Sequence, residues 1–230
     1  MYADKDFRVK FFENAISETE LKILEYDFLS NKNKLSYSGR QFAVDLDYCK
    51  KLLKGKISEI LGDNFEINGG NYFETTVPYR VHCDTGKDQL DKNYYNIVVP
   101  IKFWTTGTYN QNYNQLIILD QNWYQEASFF VAGSNASDEY NKCVFDYKDV
   151  ENLTEGYDEK LVDLCGHLNK KNLQNLSIHA TVPWIPGSII MFKRNSLHCS
   201  SNFKKAGVLK KLGLSFFTII TDPDPSFQDN

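Results

Sequence analysis

Two histidines and one aspartate are the residues of this sequence best placed to bind a metal ion. His82 and Asp84 stand two positions apart in a short β-like run, 79–84. In an extended strand, residues i and i+2 point to the same face, about 6.6–6.8 Å apart along the backbone, so both side chains can reach one ion. His198 lies far downstream, where a glycine turn and an apolar strand at 186–192 lead into a short loop. Two imidazoles and one carboxylate form a facial triad, which leaves coordination positions open for other ligands.

The elements that must position these residues are mainly β-strands. After residue 65, short apolar runs alternate with polar turns, without a regular alternation of strands and helices. This pattern is typical of an antiparallel sandwich or jelly roll. An aromatic content of 14% also favours a β-rich core, because aromatic side chains suit the pleated surface. We expect an entry strand at 7–12 and further strands at 71–73, 94–103, 115–119, 123–131, 177–182, 188–192 and 212–221.

Two helices are predicted before this β-rich part. Ser17 and Glu20 stand at the two positions of a capping box, and apolar residues at helical spacing follow them. A second helix is expected over 45–61. We interpret both as scaffold that covers one face of a sheet. A short helix is expected from Asp158, whereas the sequence indicates no regular element in 133–156.

Composition narrows the class of protein. The net charge is −4 and no block of Lys or Arg is longer than a pair, which argues against nucleic acid as a partner. Five scattered cysteines without C-x-x-C spacing argue for a reducing compartment and against a disulfide framework or a cysteine zinc site. The N-terminal residues do not have the pattern of a signal peptide, and no apolar run approaches the length of about 18 residues needed to span a membrane. We therefore expect a cytoplasmic protein without a membrane partner.

The two metal-binding stretches together resemble those of the 2-oxoglutarate/Fe(II)-dependent dioxygenases, over roughly residues 70–220. The matching parts are the His82-Cys83-Asp84 triplet, the strand at 186–192 and His198. The resemblance implies a mainly β fold with flanking α-helices, the double-stranded β-helix (a jelly roll, cupin-like). It implies Fe(II) bound by the triad, with 2-oxoglutarate and O2 as cosubstrates and succinate and CO2 as products. Because Asp84 stands where halogenases of the family have a small residue, the resemblance implies hydroxylation.

The sequence has no internal repeat, low-complexity tract or linker, so we expect one domain, residues 1–230. The N-terminal strand and buttressing helices occupy 1–65, and the double-stranded β-helix core occupies 66–221 with an insertion around 105–170. The substrate implied is a small molecule or a peptide, because family members oxidise both. Neither the identity of this substrate nor the oligomeric state is indicated by the sequence.

In the family, a basic residue beyond the distal histidine binds the C5 carboxylate of 2-oxoglutarate, and it is usually an Arg two residues before a Ser or Thr. Here Gly213 stands in that position relative to Ser215. Lys211 shares a strand face with Ser215, whereas Lys210 faces the opposite side. The resemblance therefore implies that Lys211 binds the cosubstrate with help from Ser215.

Two further residues are candidates for binding the cosubstrate. Prolyl-hydroxylase-like members of the family use a Tyr ten residues before the first metal-binding His, and Tyr72 stands at this spacing. Asn71 matches an Asn that the nucleic-acid demethylase branch uses. Of the two, Tyr72 is the first choice.

Other functions fit parts of the same pattern. One alternative is a non-catalytic jelly-roll module that binds a ligand or a partner and keeps a vestigial metal site. Another is a metal hydrolase, since zinc also accepts two histidines and a carboxylate. The basic residue after the distal histidine separates these alternatives, because among them only a 2-oxoglutarate enzyme requires it. The remaining histidines are expected to be structural, with His167 facing solvent and His179 in packing or in support of a ligand.

Overall fold

The computed structural model describes residues 8–32, 37–38, 41–43, 46–62, 65–84, 94–123 and 150–220. The helices within these ranges are α1 (Glu18–Asn31), α2 (Leu46–Leu61) and α3 (Glu159–Leu164). The strands are β1 (Val9–Phe12), β2 (Tyr37–Ser38), β3 (Gln41–Ala43), β4 (Phe65–Thr75), β5 (Tyr94–Thr105), β6 (Gln115–Trp123), β7 (Val150–Glu151), β8 (Ile178–Pro183), β9 (Ile189–Lys193), β10 (Ser196–Ser200) and β11 (Val208–Ile220). Two short 3-10 helices, Gln111–Tyr113 and Lys170–Leu173, complete the described elements.

The strands form two antiparallel sheets. The larger sheet has seven strands in the order β1-β9-β5-β11-β4-β3-β2. In the smaller sheet, β6 pairs with β10 along one edge and with β7 and β8 along the other. The H-x-D run joins this smaller sheet beside β10, through a single antiparallel bridge between His82 and His198. The predicted antiparallel β-rich architecture is therefore confirmed within the described residues.

Alternation along the strands divides the core into layers. Ile97 and Val99 of β5 face a core that includes Leu24 of α1 and Leu53 of α2, whereas Val98 faces a second core between the two sheets. The strand β6 repeats this pattern, because its even-numbered apolar residues face the larger sheet and its odd-numbered ones face α3. Strands that are buried on both faces have continuous apolar sequences, and such sequences predict β5 and β6.

The first helix begins as the sequence predicts. The Ser17 hydroxyl accepts a hydrogen bond from the Glu20 amide (3.3 Å), and the Glu20 carboxylate accepts one from the Ser17 amide (2.7 Å). This reciprocal pair satisfies two amide groups that the first helical turn otherwise leaves without partners. The second helix, Leu46–Leu61, also agrees with its prediction. No helix of the described residues combines the length and the apolar character that a membrane crossing requires.

Some predicted elements differ from the structure. The short loop after the strand before His198 is present, but the strand that carries His198, β10, was not predicted. The strands β2, β3 and β7 were not predicted, because each has only two or three residues and carries no periodicity of its own. Of the strand predicted over 123–131, Trp123 is the last residue of β6, and the rest lies outside the described residues.

Candidate metal centre and its cavity

The two histidines of the predicted triad are held side by side by their own backbones. The His82 amide donates to the His198 carbonyl (2.9 Å), and the His198 amide donates to the His82 carbonyl (2.8 Å). As a result, the centroids of the two imidazole rings lie 4.0 Å apart. Residues separated by more than a hundred positions in the sequence are thus brought together by pairing of the H-x-D run with β10.

Asp84 is fixed next to these histidines by Arg194. The Asp84 amide donates to the Arg194 carbonyl (3.0 Å), and the Arg194 Nε donates back to the Asp84 carbonyl (2.8 Å). Arg194 is itself buried and its guanidinium lies 4.6 Å from the centroid of the Phe217 ring. These contacts fix the backbone of Asp84 and leave its carboxylate to face the two imidazoles.

The ligand atoms of the triad converge on one point. One Asp84 oxygen lies 3.2 Å from His198 Nε2 and the other lies 3.8 Å from His82 Nε2, and ligand atoms of all three residues lie within 4.8 Å of one another. The His82 Nδ1 contacts the Arg80 carbonyl (2.9 Å), and the His198 Nδ1 contacts the Ser196 carbonyl (3.0 Å). Since a carbonyl can only accept, each Nδ1 carries the proton in the neutral ring and each Nε2 presents its lone pair.

The protonation states of the triad suit metal binding. Burial, together with the neighbouring His198, lowers the pKa of His82 to about 4. Burial raises the pKa of Asp84, but the surrounding basic groups His198, His82 and Arg194 outweigh that effect and lower the pKa to about 2. At neutral pH, His82 is therefore neutral and Asp84 is ionised, which are the forms that bind a metal. Two nitrogens and one carboxylate oxygen with open positions fit Fe(II).

The triad lies at the wall of a cavity between the two sheets. Among the described residues outside the triad, Lys211 is the charged one that lines this cavity, and aromatic residues form much of its surface. The lining residues are Phe73, Thr75, Tyr79, His82, Asp84, Asn96, Val98, Gln115, Leu116, Trp184, Phe192, His198, Cys199, Ser200, Lys211, Ser215 and Phe217.

The amine of Lys211 lies between two aromatic rings. Its side chain is 2% exposed, and its Nζ lies 4.7 Å from the ring centroids of both Trp184 and Phe203. Burial lowers the pKa of Lys211 well below its ordinary value, and within the described ranges no carboxylate forms an ion pair with it. A buried cation without a counter-ion is costly. Lys211 is therefore placed to bind a ligand that carries a carboxylate.

Lys210 occupies the opposite face of β11. Its Nζ lies 3.0 Å from a Glu74 oxygen and 4.1 Å from the centroid of the Trp104 ring. The two lysines thus face the sides that strand alternation indicates, with Lys211 inward and Lys210 outward.

The packing around Gly213 explains why no arginine stands at this position. A Cβ atom at Gly213 would lie 2.5 Å from Cζ of Phe73, so the Phe73 ring fills the volume that a side chain there would need. Phe73 lies on β4 directly opposite Gly213. Lys211 stands two residues earlier on the same face of β11 and brings its positive charge into the cavity from there.

Ser215 lines the cavity, and its hydroxyl is hydrogen-bonded to Asn96, a residue that was not predicted to belong to the site. Its hydroxyl donates to Oδ1 of Asn96 (3.1 Å), and the Asn96 amide nitrogen donates to an Asp84 oxygen. Asn96 belongs to the apolar strand β5 and is 1% exposed. An amide side chain within the apolar stretch 94–101 was the available signal, since buried polar groups are rare unless they are hydrogen-bonded.

Tyr72 does not lie in the cavity, contrary to its prediction as a cosubstrate ligand. It is fully buried beneath the helices, where its hydroxyl donates to Asp27 (2.8 Å) and its ring lies 5.5 Å from that of Phe28. Even-numbered residues at this point of β4 face the helices, so the strand directs Tyr72 away from the metal. Asn71 shares the cavity-side face of β4 with Phe73 and pairs with Ser215, but it is not a lining residue.

The other two histidines stand apart from the triad. The ring nitrogens of His167 are buried, and burial lowers its pKa to about 4, so the expectation that it faces solvent is wrong. His179 is exposed, with its Nδ1 3.1 Å from an Asp120 oxygen, and does not line the cavity.

Comparison with known proteins gives structural matches without sequence matches. No protein-family model matches the chain, and no curated protein matches its sequence. The α-ketoglutarate-dependent carbocyclase SnoK of nogalamycin biosynthesis matches with a TM-score of 0.52 and 11% identity, over 99% of this chain and 86% of SnoK. The epimerase SnoN of the same biosynthesis matches with a TM-score of 0.52 and 9% identity, over 92% of this chain and 78% of SnoN. HygX from Streptomyces hygroscopicus, solved with nickel and 2-oxoglutarate bound, matches with a TM-score of 0.50 and 11% identity, over 93% of this chain and 83% of HygX.

The chain has the double-stranded β-helix fold. At 9–11% identity, these matches establish the fold alone. In this double-stranded β-helix, the two histidines of the predicted triad lie at one edge of the smaller sheet, and Lys211 reaches the same cavity from the larger sheet.

Proposed function

We propose that this protein is an Fe(II)- and 2-oxoglutarate-dependent dioxygenase that hydroxylates a small-molecule or peptide substrate. The observation that carries the proposal is the presence of the His82–Asp84–His198 triad and the buried Lys211 in one cavity. The triad alone fits several metals, and a buried lysine alone fits many anions. A metal site and a carboxylate site in one cavity fit a ligand that chelates the metal at one end and carries a carboxylate at the other.

The residues of the chain have distinct roles in this proposal. The Nε2 atoms of His82 and His198 and the Asp84 carboxylate bind Fe(II), with one negative charge on the protein side. Lys211 binds the C5 carboxylate of 2-oxoglutarate and thereby orients its keto acid end towards the metal. Phe73, Trp184 and other aromatic residues of the wall exclude water and strengthen both electrostatic contacts. When bound, Fe(II), 2-oxoglutarate and O2 supply the oxidising chemistry, with succinate and CO2 as products.

The contents of the cavity favour this function over metal-dependent hydrolysis. A hydrolase uses a general base to activate water, and a carboxylate outside the metal ligands is a common choice. Among the described lining residues, Asp84 is the only carboxylate, and it belongs to the triad. A structure of similar fold supports the proposal, since HygX has been solved with nickel and 2-oxoglutarate bound.

The purified protein is expected to convert 2-oxoglutarate to succinate slowly even without its second substrate. This uncoupled turnover should require both Fe(II) and O2, because each is needed for oxidative decarboxylation. Succinate can be quantified by mass spectrometry after incubation in air, with an anaerobic sample and Asp84→Ala as controls. If 2-oxoglutarate does not bind to the metal-loaded protein, the chain is instead a non-catalytic jelly-roll module and the proposal is wrong.

A further inference from the structure

We propose that Asn96, oriented by Ser215, is a positioning residue that sets how Asp84 binds the metal. The inference rests on the metal site of the proposed function but needs neither 2-oxoglutarate nor turnover. Three described contacts carry it: the bond from Ser215 to Asn96, the bond from Asn96 to Asp84, and the near-complete burial of Asn96.

The directions of the two hydrogen bonds follow from the chemistry of the groups. An ionised carboxylate only accepts hydrogen bonds, so Asn96 must turn its NH2 group towards Asp84. The Asn96 carbonyl oxygen then faces the Ser215 hydroxyl, which can donate to it at 3.1 Å. Ser215 therefore selects the orientation of the amide that is useful to Asp84. Without this hydroxyl, the amide would lose the contact that holds it in this orientation.

Strand pairing positions the residues of this hydrogen-bond relay, which runs from Ser215 through Asn96 to Asp84. Asn96 of β5 lies between Phe217 of β11 and Phe192 of β9, which flank it in the larger sheet. Ser215 precedes Phe217 by two residues on the same face of β11. The relay thus runs from the centre of the larger sheet to Asp84 beside the smaller sheet.

The consequence for the metal is a carboxylate held by one oxygen. Asn96 engages Oδ2 of Asp84, which favours coordination through a single oxygen and fixes the rotation of the carboxylate. Single-oxygen coordination preserves the open positions that a bidentate cosubstrate and O2 both need. Groups that hydrogen-bond to a metal ligand commonly change metal affinity about 10–100-fold when removed.

The experiment measures Mn(II) binding by titration calorimetry in the absence of 2-oxoglutarate. Asn96→Leu, which keeps the approximate volume but has no amide, should weaken Mn(II) binding about 10–100-fold. Ser215→Ala, which removes one hydroxyl, should weaken it about fivefold, the equivalent of one neutral hydrogen bond. Ser215→Thr keeps the hydroxyl and should restore the wild-type affinity.

Thr218 provides a matched control on the same strand. It is fully buried, and its hydroxyl donates to the Tyr95 carbonyl (3.0 Å) with no link to Asp84. Thr218→Ala removes a buried hydroxyl from β11 as Ser215→Ala does, and it should leave Mn(II) affinity unchanged. Equal losses in the two variants would show a general effect of disturbing β11 and would overturn the relay.

The outcomes also separate the two possible roles of Ser215. If Ser215→Ala leaves Mn(II) affinity unchanged and weakens only the later binding of 2-oxoglutarate, Ser215 contacts the cosubstrate and the relay is wrong. Wild-type Mn(II) affinity in Asn96→Leu would overturn the relay while leaving the proposed function intact. Failure of the wild-type protein to bind Mn(II) would overturn the metal site and the relay together.

Discussion

Replacing Lys211 with methionine is expected to weaken 2-oxoglutarate binding by at least about a hundredfold while stabilising the unliganded protein. Removing one member of a buried charge pair costs about 3–5 kcal/mol, and each 1.4 kcal/mol is a tenfold change in affinity. In the unliganded protein, Lys211 has no described counter-ion between Trp184 and Phe203. Methionine has a similar length and no charge to bury, so the variant should unfold at a higher temperature.

The pH dependence of stability provides a second test of the same residue. The pKa of Lys211 lies well below its ordinary value because the side chain is buried. Between this lowered pKa and the ordinary value of about 10.4, the unfolded chain binds one more proton than the folded chain. As pH rises through this window, Lys211 therefore destabilises the wild-type protein less. The difference in free energy of unfolding between Lys211→Met and the wild type should be largest at the low-pH end of this window. It should decrease towards pH 10.

Lys210→Met is the control for both measurements. Lys210 points away from the cavity and pairs with Glu74 at a partly exposed position, where an ion pair contributes about 0–1 kcal/mol. Calorimetry of 2-oxoglutarate with the Mn(II)-loaded variants and thermal unfolding of the unliganded proteins give the two readouts. The reverse ranking, with Lys210→Met damaging and Lys211→Met silent, would exclude Lys211 as the cosubstrate anchor.

Loss of His198 is expected to weaken metal binding by more than about a hundredfold. Substitutions that only disturb a hydrogen bond to a ligand commonly cost about 10–100-fold, and His198→Ala removes a ligand itself. The fold should survive, because the bridge between residues 82 and 198 is made by backbone groups. His82→Ala and Asp84→Ala should behave alike, as measured by Mn(II) calorimetry with circular dichroism to monitor folding.

His179→Ala is the matched control, since it removes an exposed histidine that does not line the cavity. It should bind Mn(II) with wild-type affinity. Retention of wild-type affinity by His198→Ala would show that the triad does not bind the metal, whatever the behaviour of the other variants.

The sequence predicted those parts of the site that depend on local periodicity. Two-residue alternation placed His82 and Asp84 on one face and put Lys211 and Lys210 on opposite faces of their strand, as the structure has them. The capping box at Ser17 was equally local, because its two partners lie three residues apart. Each of these patterns involves only a few consecutive residues, so the structure can be predicted from them without knowledge of distant contacts.

Contacts between distant segments could not be predicted in the same way. The spacing of Tyr72 from His82 did not reveal which face of β4 it occupies, and the strand directs it towards α1. Asn96 was hidden in an apolar run because its partners, Asp84 and Ser215, come from other segments. His167, which was expected to face solvent, follows the end of α3 at Leu164, and the burial of its ring nitrogens depends on contacts that the helix itself does not determine.

The most direct test of the proposed function is a crystal structure of the protein with Mn(II) and 2-oxoglutarate, prepared without O2. We expect Mn(II) bound by Nε2 of His82, Nε2 of His198 and one carboxylate oxygen of Asp84. We expect the C5 carboxylate of 2-oxoglutarate within hydrogen-bonding distance of Lys211 Nζ. A metal bound elsewhere, or 2-oxoglutarate bound with its C5 carboxylate away from Lys211, would contradict the proposed function of this cavity.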